Sequence, residues 1–233
     1  MKKIVFILLV IAVLVSVLSV SCKKKYDGFK IGDTGPAGGI VFYDKGEYSG
    51  GWRYLEAAPA DLRVVGGAPT VDRKAVGYDK ADLGFIFGLY RKSGNENSFL
   101  YVNGKTSYSE KDCTGTAVGT GKKNTELLVK AMGKSAYTDS IRADTTSVYA
   151  AKLCSDLVFN GFDDWFLPSM DELNLMYTNL EKAGRGGFAS DYYWSSSEGN
   201  YDARGAWVQS FSSVLQINDI RYRSYRVRPV RAF

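Results

Sequence analysis

The sequence contains no histidine. That absence excludes Ser-His-Asp and Cys-His nucleophile systems and any His-ligated metal centre. Proton transfer in an enzyme of this composition would fall to carboxylates, Lys, Tyr or a cofactor. Cysteine is scarce, at three in 233 residues, which excludes a dense disulfide scaffold. Proline numbers only five, and 25 glycines are too few for a collagen. What is present is a chain 45% hydrophobic and 14% aromatic, which excludes disorder and suffices for one core or two small ones.

The ends are distinct from the rest. Lys2 and Lys3 precede a continuous apolar run over residues 4–20, followed by Ser21-Cys22. Charge, apolar run and small residues in that order are the layout of an export signal. The run is at the lower limit for a membrane span, so an uncleaved anchor is the alternative. Ser19-Val20-Ser21-Cys22 followed by three lysines resembles a bacterial lipoprotein signal, in which the cysteine becomes the lipidated first residue. Ser19 departs from the Leu usual at that place. The expected division is a signal at 1–21, a lipid-anchored tether at 22–30 and a domain at 31–233. The expected location is the bacterial cell envelope, at the outer membrane or cell surface, with the membrane held through Cys22.

Charge follows the same division. Lys2, Lys3, Lys23, Lys24 and Lys25 carry the whole formal net charge of +5. Residues 26–233 are neutral in sum, so the basic balance is no argument for a nucleic-acid partner. In an exported compartment Cys113 and Cys154 can pair, closing a loop of about 40 residues worth roughly 3–4 kcal/mol, or they can remain free thiols.

Along the globular part, Gly32–Gly39 reads as a turn, and residues 39–43 and 51–57 as a hairpin. Residues 59–112 are broken by glycines and prolines and read as ordered loops with little regular structure. Asn124 can cap a helix at 125–132 and Ser147 a helix at 148–159. Ser169 and Glu172 have the spacing of a capping box, before Leu173, Met176, Tyr177 and Leu180 at helical period. Strands follow at 192–197, 206–211 and 220–230. Hairpin, two to three helices and terminal antiparallel strands define an α+β domain.

Four stretches carry a resemblance: residues 32–43 (GDTGPAGGIVFY), 164–173 (DWFLPSMDEL), 193–198 (YWSSSE) and 225–231 (YRVRPVR). In this order they resemble the DUF1566 family, also called the Lcl C-terminal domain, across roughly residues 30–232. The resemblance implies a C-type-lectin-like fold whose termini meet in one sheet. It also implies a surface adhesion or ligand-binding module rather than an enzyme, with no cofactor. The chain has no collagen stalk, and it lacks the Glu-Pro-Asn and Trp-Asn-Asp signatures of calcium-dependent lectins.

The candidate ligand site is the arginine-rich end, with Arg221, Tyr222, Arg223, Arg226 and Arg228. Residues 203–233 hold six arginines against Asp219 alone, so residues 26–202 carry the balancing negative charge. Guanidinium forks suit sulfate, phosphate and carboxylate, which points to an anionic glycan or matrix ligand. The alternative is that these arginines pair inside the fold with Asp163, Asp164, Asp171 or Glu172. Trp52, Trp165, Trp194 and Trp207 are either a sugar platform or core. Asp163, Asp164, Asp171 and Glu172 are either oxygen ligands for calcium or, without any metal, acids favoured at a helix N-terminus, and the second is the expectation. Ser195–Ser197 have no identifiable base, and residues 116–123 fail the phosphate-loop pattern. A structural envelope lipoprotein that binds another protein is the second functional reading.

Overall fold

A two-glycine turn sets the N-terminal hairpin. Gly50 and Gly51 both take positive φ, 59° and 87°, as a type I′ turn requires, and they join β1 (Ile40–Ser49) to β2 (Trp52–Ala57). The protein is described by a computed structural model over residues 28–72, 84–88, 90–93, 96–99, 101–105, 107–133, 148–201 and 203–233. The expected export signal, the expected lipidation at Cys22 and the expected Ser147 cap fall outside the described residues.

The chain's last strand closes on the first hairpin. β10 (Val230–Ala232) pairs antiparallel with β2, giving a sheet of order β1-β2-β10. The two ends of the domain therefore share one sheet, as the resemblance implied. A second sheet of order β7-β8-β9 is built from β7 (Tyr192–Glu198), β8 (Gly205–Ser210) and β9 (Gln216–Ile220). Between the sheets in sequence stand α1 (Gly121–Met132), α2 (Ala150–Ser155) and α3 (Met170–Asn179). The architecture is α+β: an N-terminal hairpin, three helices and C-terminal antiparallel strands.

Each helix is explained by what it buries. α1 buries Gly121, Asn124, Thr125, Leu128 and Met132, positions three and four apart on one face. α3 starts on the expected capping box, with Ser169 accepting from Glu172 N–H and Glu172 accepting from Ser169 N–H. It then turns Leu173 and Met176 into a core with Phe42, Leu55, Phe166, Tyr193 and Phe211. The larger core gathers Leu128, Tyr149, Leu157, Trp165, Trp194 and Val227. Each such side chain contributes roughly 1.5–3 kcal/mol when removed from water.

Several expectations are corrected. Residues 59–112 hold two short hairpins, β3 (Arg63–Val65) with β4 (Ala68–Thr70) and β5 (Tyr90–Ser93) with β6 (Glu96–Phe99). Asn124 does not cap α1: it lies within the helix, and its side chain bonds Gly115 and Ser196. The expected helix over 148–159 is regular only over Ala150–Ser155, because Tyr149 N-terminal to it is extended. Residues 220–230 are not one strand. After β9 the chain leaves its sheet and threads through the molecule, bonding Phe87, Phe85, Trp194, Leu62, Ala58 and Phe166 in turn through its backbone. That path decides where the arginines point.

Candidate functional site

The arginine run is drawn inward by this thread. Arg228 has a fully buried side chain. Its Nε and Nη2 donate to Asp61 Oδ1 at 2.9 and 2.6 Å, and the remaining donors reach Ala58, Gly186 and Gly187 carbonyls. All five guanidinium N–H groups are thereby used. Arg221 is equally buried and donates to Gly205 O at 3.0 Å and to Glu198 Oε1 at 3.3 Å, with Phe87 and Tyr101 rings around it. Burial raises the Glu198 carboxyl above its usual range, and the facing guanidinium together with Thr114 and Val102 N–H groups hold it as an acceptor.

Arg226 bridges Asp61 and Asp191 at 3.1 and 3.0 Å. Arg223 alone of the arginines in this candidate set has a mostly exposed side chain, 56%, and it lies 3.3 Å from Asp219. Tyr222 is half-buried between them. The expected anion-binding strand is therefore corrected: Arg221, Arg226 and Arg228 serve internal carboxylates. Their partners are mostly not the acids expected from sequence, but Asp164 does pair, with Arg231.

Arg231 explains the glycine-rich turn as well. It bonds Glu56 at 3.0 Å, and Glu56 in turn accepts from Ala37 and Gly39 N–H at 3.3 and 3.0 Å. A Cβ on Gly35 would stand 2.4 Å from the Glu56 carboxylate, and one on Gly39 2.5 Å from Ala57 O, so neither position admits a side chain. The serine run is similarly spoken for. Ser195, Ser196 and Ser197 hydroxyls donate to Trp207, Pro168 and Gly115 carbonyls. The shared motifs of the resemblance are thus one another's partners in the interior.

The expected Cys113–Cys154 disulfide is absent: both are free, buried thiols. They belong to different clusters, Cys113 with Tyr101 and Ala203, Cys154 with the main core on α2. Burial pushes both thiols above their ordinary range, Cys154 strongly. Among the described residues no group of three or more acids or thiols is placed to hold a metal ion. Nor, among them, is any helix long and apolar enough to cross a membrane.

A cleft remains, and it lies elsewhere. The β1–β2 turn, the start of α1 and the segment before α3 enclose about 510 Å³, lined by Trp52, Lys122, Lys123, Glu126, Asp164 and Glu172 among others. A smaller hollow of about 250 Å³ shares Lys122, Glu126, Asp164 and Phe166 with it and adds Asp163 and Trp165. Trp165 and Trp194 are core residues, 2% and 0% exposed, while Trp52 is half-buried at the cleft wall. Lys45 Nζ sits 3.8 Å from the Trp52 ring centroid.

The floor is held by Glu172. Its carboxylate accepts from Gly119 and Ser169 N–H, each at 2.7 Å. A Cβ on Gly121 would meet Glu172 Oε2 at 2.2 Å, so the loop packs directly on the carboxylate. Burial pushes Glu172 up to about 7, against the lowering effect of those N–H groups. Above, Lys122 and Lys123 are exposed in the first turn of α1, which carries no acid. Cations oppose the helix dipole at that end, where an anion is favoured. Two lysines in the first turn are the signal by which sequence reasoning could have found this cleft. Sequence reasoning met Lys122 and Lys123 only in rejecting a phosphate loop.

With this geometry in hand, comparison with known families gives one match. An α+β domain with its ends joined in one sheet is the class; within it, residues 104–231 match the Lcl C-terminal domain. That stretch is more than half of the chain, and the chain belongs to the Lcl C-terminal domain family, DUF1566. No curated protein matches the chain.

Proposed function

We propose that this protein is a lipid-anchored bacterial envelope protein whose Lcl C-terminal domain is a lectin-like binding or adhesion module. Its ligand is an anionic glycan or matrix component, taken in the Trp52–Lys122–Lys123 cleft rather than on the arginine thread. The anchor is supported by the charge, apolar run and Ser21-Cys22 of the N-terminus. The observation that carries the site is the contrast in availability: Arg221 and Arg228 are buried on internal partners, while Lys122 and Lys123 are exposed at a cleft of about 510 Å³.

An acidic sugar fits that lining. Its anionic group would relieve the repulsion between the α1 dipole and the two lysines. Glu126 and Asp164 supply acceptors for hydroxyl groups, and the Trp52 edge supplies apolar area.

The test is a glycan and matrix-protein array probed with the full-length protein in detergent, at low and physiological salt. Saturable, salt-sensitive binding lost in Lys122→Ala/Lys123→Ala and kept in Arg223→Ala is the expected result. Binding lost instead in Arg223→Ala would return the site to the arginine segment. A second reading, a structural lipoprotein docking another envelope protein, is favoured by Val214 and Leu215, 62% and 55% exposed together at the β8–β9 tip. Co-purification of one stoichiometric partner, abolished by Val214→Ser/Leu215→Ser, would select it.

A further inference from the structure

The way the chain enters the fold fixes which side of the domain faces the bilayer. Gly28 N–H donates to Tyr54 Oη at 3.3 Å, and the Phe29 ring packs edge-on against Tyr54 and Phe233, at 5.6 and 5.3 Å between centroids. The first described residues are therefore tied to the β1-β2-β10 sheet. On the membrane-anchor reading, whether residues 4–20 stay in the membrane or Cys22 carries lipid, the bilayer surface would lie near residue 22. From Cys22 to Gly28 is six residues, which span at most about 20 Å even fully extended. A domain of this length has a radius of about 20 Å. The tether is no longer than that radius, so the domain cannot roll its far side onto the membrane.

The side held down in this way has a matching surface. Lys30 is exposed and Ile31 is 42% exposed. Arg185, also exposed, reaches across to Ile31 O at 3.4 Å from just beyond the short 3-10 turn Glu181–Ala183, whose exposed Lys182 has its ammonium 5.5 Å from the Tyr177 ring centroid. Lys23, Lys24 and Lys25 add three charges on the tether itself. Asp27 on the tether and Asp33 and Glu181 in the same stretches of the domain are acids, so Lys30, Lys182 and Arg185 keep an excess of one positive charge on the domain and the tether lysines an excess of two.

We propose that Lys30, Ile31, Lys182 and Arg185 form a docking surface for the anionic headgroups of the membrane that holds the anchor. This orients the domain with its N-terminal segment down. The proposal rests on the membrane-anchor part of the reading above and is independent of the ligand. The occupant is a bilayer because the tether length brings a bilayer there, and the charge complements acidic lipid. Ile31 inserts between headgroups while the cations pair with phosphates. An excess of one positive charge near such a surface favours the docked orientation by about fivefold over the undocked one.

Hydrogen exchange on the full-length protein, reconstituted in vesicles, tests this. Phosphatidylcholine vesicles containing phosphatidylglycerol are compared with phosphatidylcholine alone, with flotation run in parallel. The expected result is slowed exchange over residues 28–34 and 181–187 in the acidic vesicles only, with residues 212–216 unchanged. Lys30→Glu/Arg185→Glu should abolish the slowing while the protein still floats, and both positions are exposed, so folding is preserved. Equal exchange in the two vesicle types, from protein that does float, overturns the docking surface and leaves the anchor intact. Failure to float in either overturns the anchor and the docking surface with it.

Discussion

Arg228 and Lys122 carry the same charge in opposite circumstances. Apart from exposed Arg223, the C-terminal thread turns its cations from Arg221 on toward the interior, each facing a carboxylate brought from a distant part of the chain. Asp61 lies 167 residues from Arg228 and Glu56 175 residues from Arg231. The cleft holds its cations at the surface, on the first turn of a helix that does not favour them. The comparison teaches that local charge density is a poor guide to a binding surface. A run of six arginines reads as a ligand site by composition, yet it acts mainly as internal bracing. Two adjacent lysines pass unnoticed and border the larger cleft.

Removing one member of a buried pair should show the difference most strongly. Arg228→Ala leaves Asp61 with Arg226 alone of its two cations and takes the guanidinium donors from the Ala58, Gly186 and Gly187 carbonyls, and Arg221→Ala takes the facing guanidinium from buried Glu198. Each should lower stability by about 3–5 kcal/mol in urea titration. The cleft variants Lys122→Ala and Lys123→Ala should not lower the midpoint and should raise it slightly, since each removes a cation from the start of α1. Equal losses in both sets would break the comparison.

The next effect is pH-dependent. Glu172 ionises near 4.5 in an unfolded chain and at about 7 in the folded one, because burial opposes its charge. A raised folded-state value means the folded protein holds the proton more tightly. This contribution is therefore fully present below pH 4.5 and is lost as pH rises to about 7. The stability of the native protein relative to Glu172→Gln should fall by about 3 kcal/mol across that window and be flat outside it. A flat difference across the whole range would mean that the Gly119, Ser169 and Gly121 N–H groups offset burial in full.

Within the arginine run itself, Arg223→Ala should leave the urea midpoint unmoved, since that side chain is exposed, in contrast to its neighbour Arg221 two residues earlier. A loss matching that of Arg221→Ala would show that burial does not separate the two.

The smallest effect is chemical. In native protein, Cys113 and Cys154 should resist a thiol reagent, because both are buried and burial raises their thiols. In denaturant two thiols should react if Cys22 is lipidated and three if it is not. A count of none or one would restore the disulfide.

The fold was legible where local chemistry is self-contained. Ser169 and Glu172 define a capping box by spacing alone, and residues 39–43 and 51–57 read as a hairpin, although β1 runs on to Ser49 and Gly50-Gly51 makes the turn. The hairpin, the order of helices and strands, and the family were read from such pieces. Residues 59–112 were not, because β3 to β6 are strands of three or four residues whose period is too short to register. The terminal strand was misread for a related reason. Alternating arginine and apolar residues over 221–230 satisfy a strand pattern, but the backbone there bonds to five separate segments instead of one neighbour. The core role of Trp165 and Trp194 was weighed and is observed, while Trp52 stands at the cleft wall.

The sequence by itself determined the secondary-structure grammar, the family and the charge polarity, because each depends on residues near one another along the chain. Only the tertiary structure decided which charges are available. Glu56, Asp61 and Glu198 become the partners of Arg231, Arg228 and Arg221 through contacts across 23 to 175 residues. A buried guanidinium is stable only with such a partner, and which carboxylate reaches it is a property of the packed molecule, not of the neighbouring sequence.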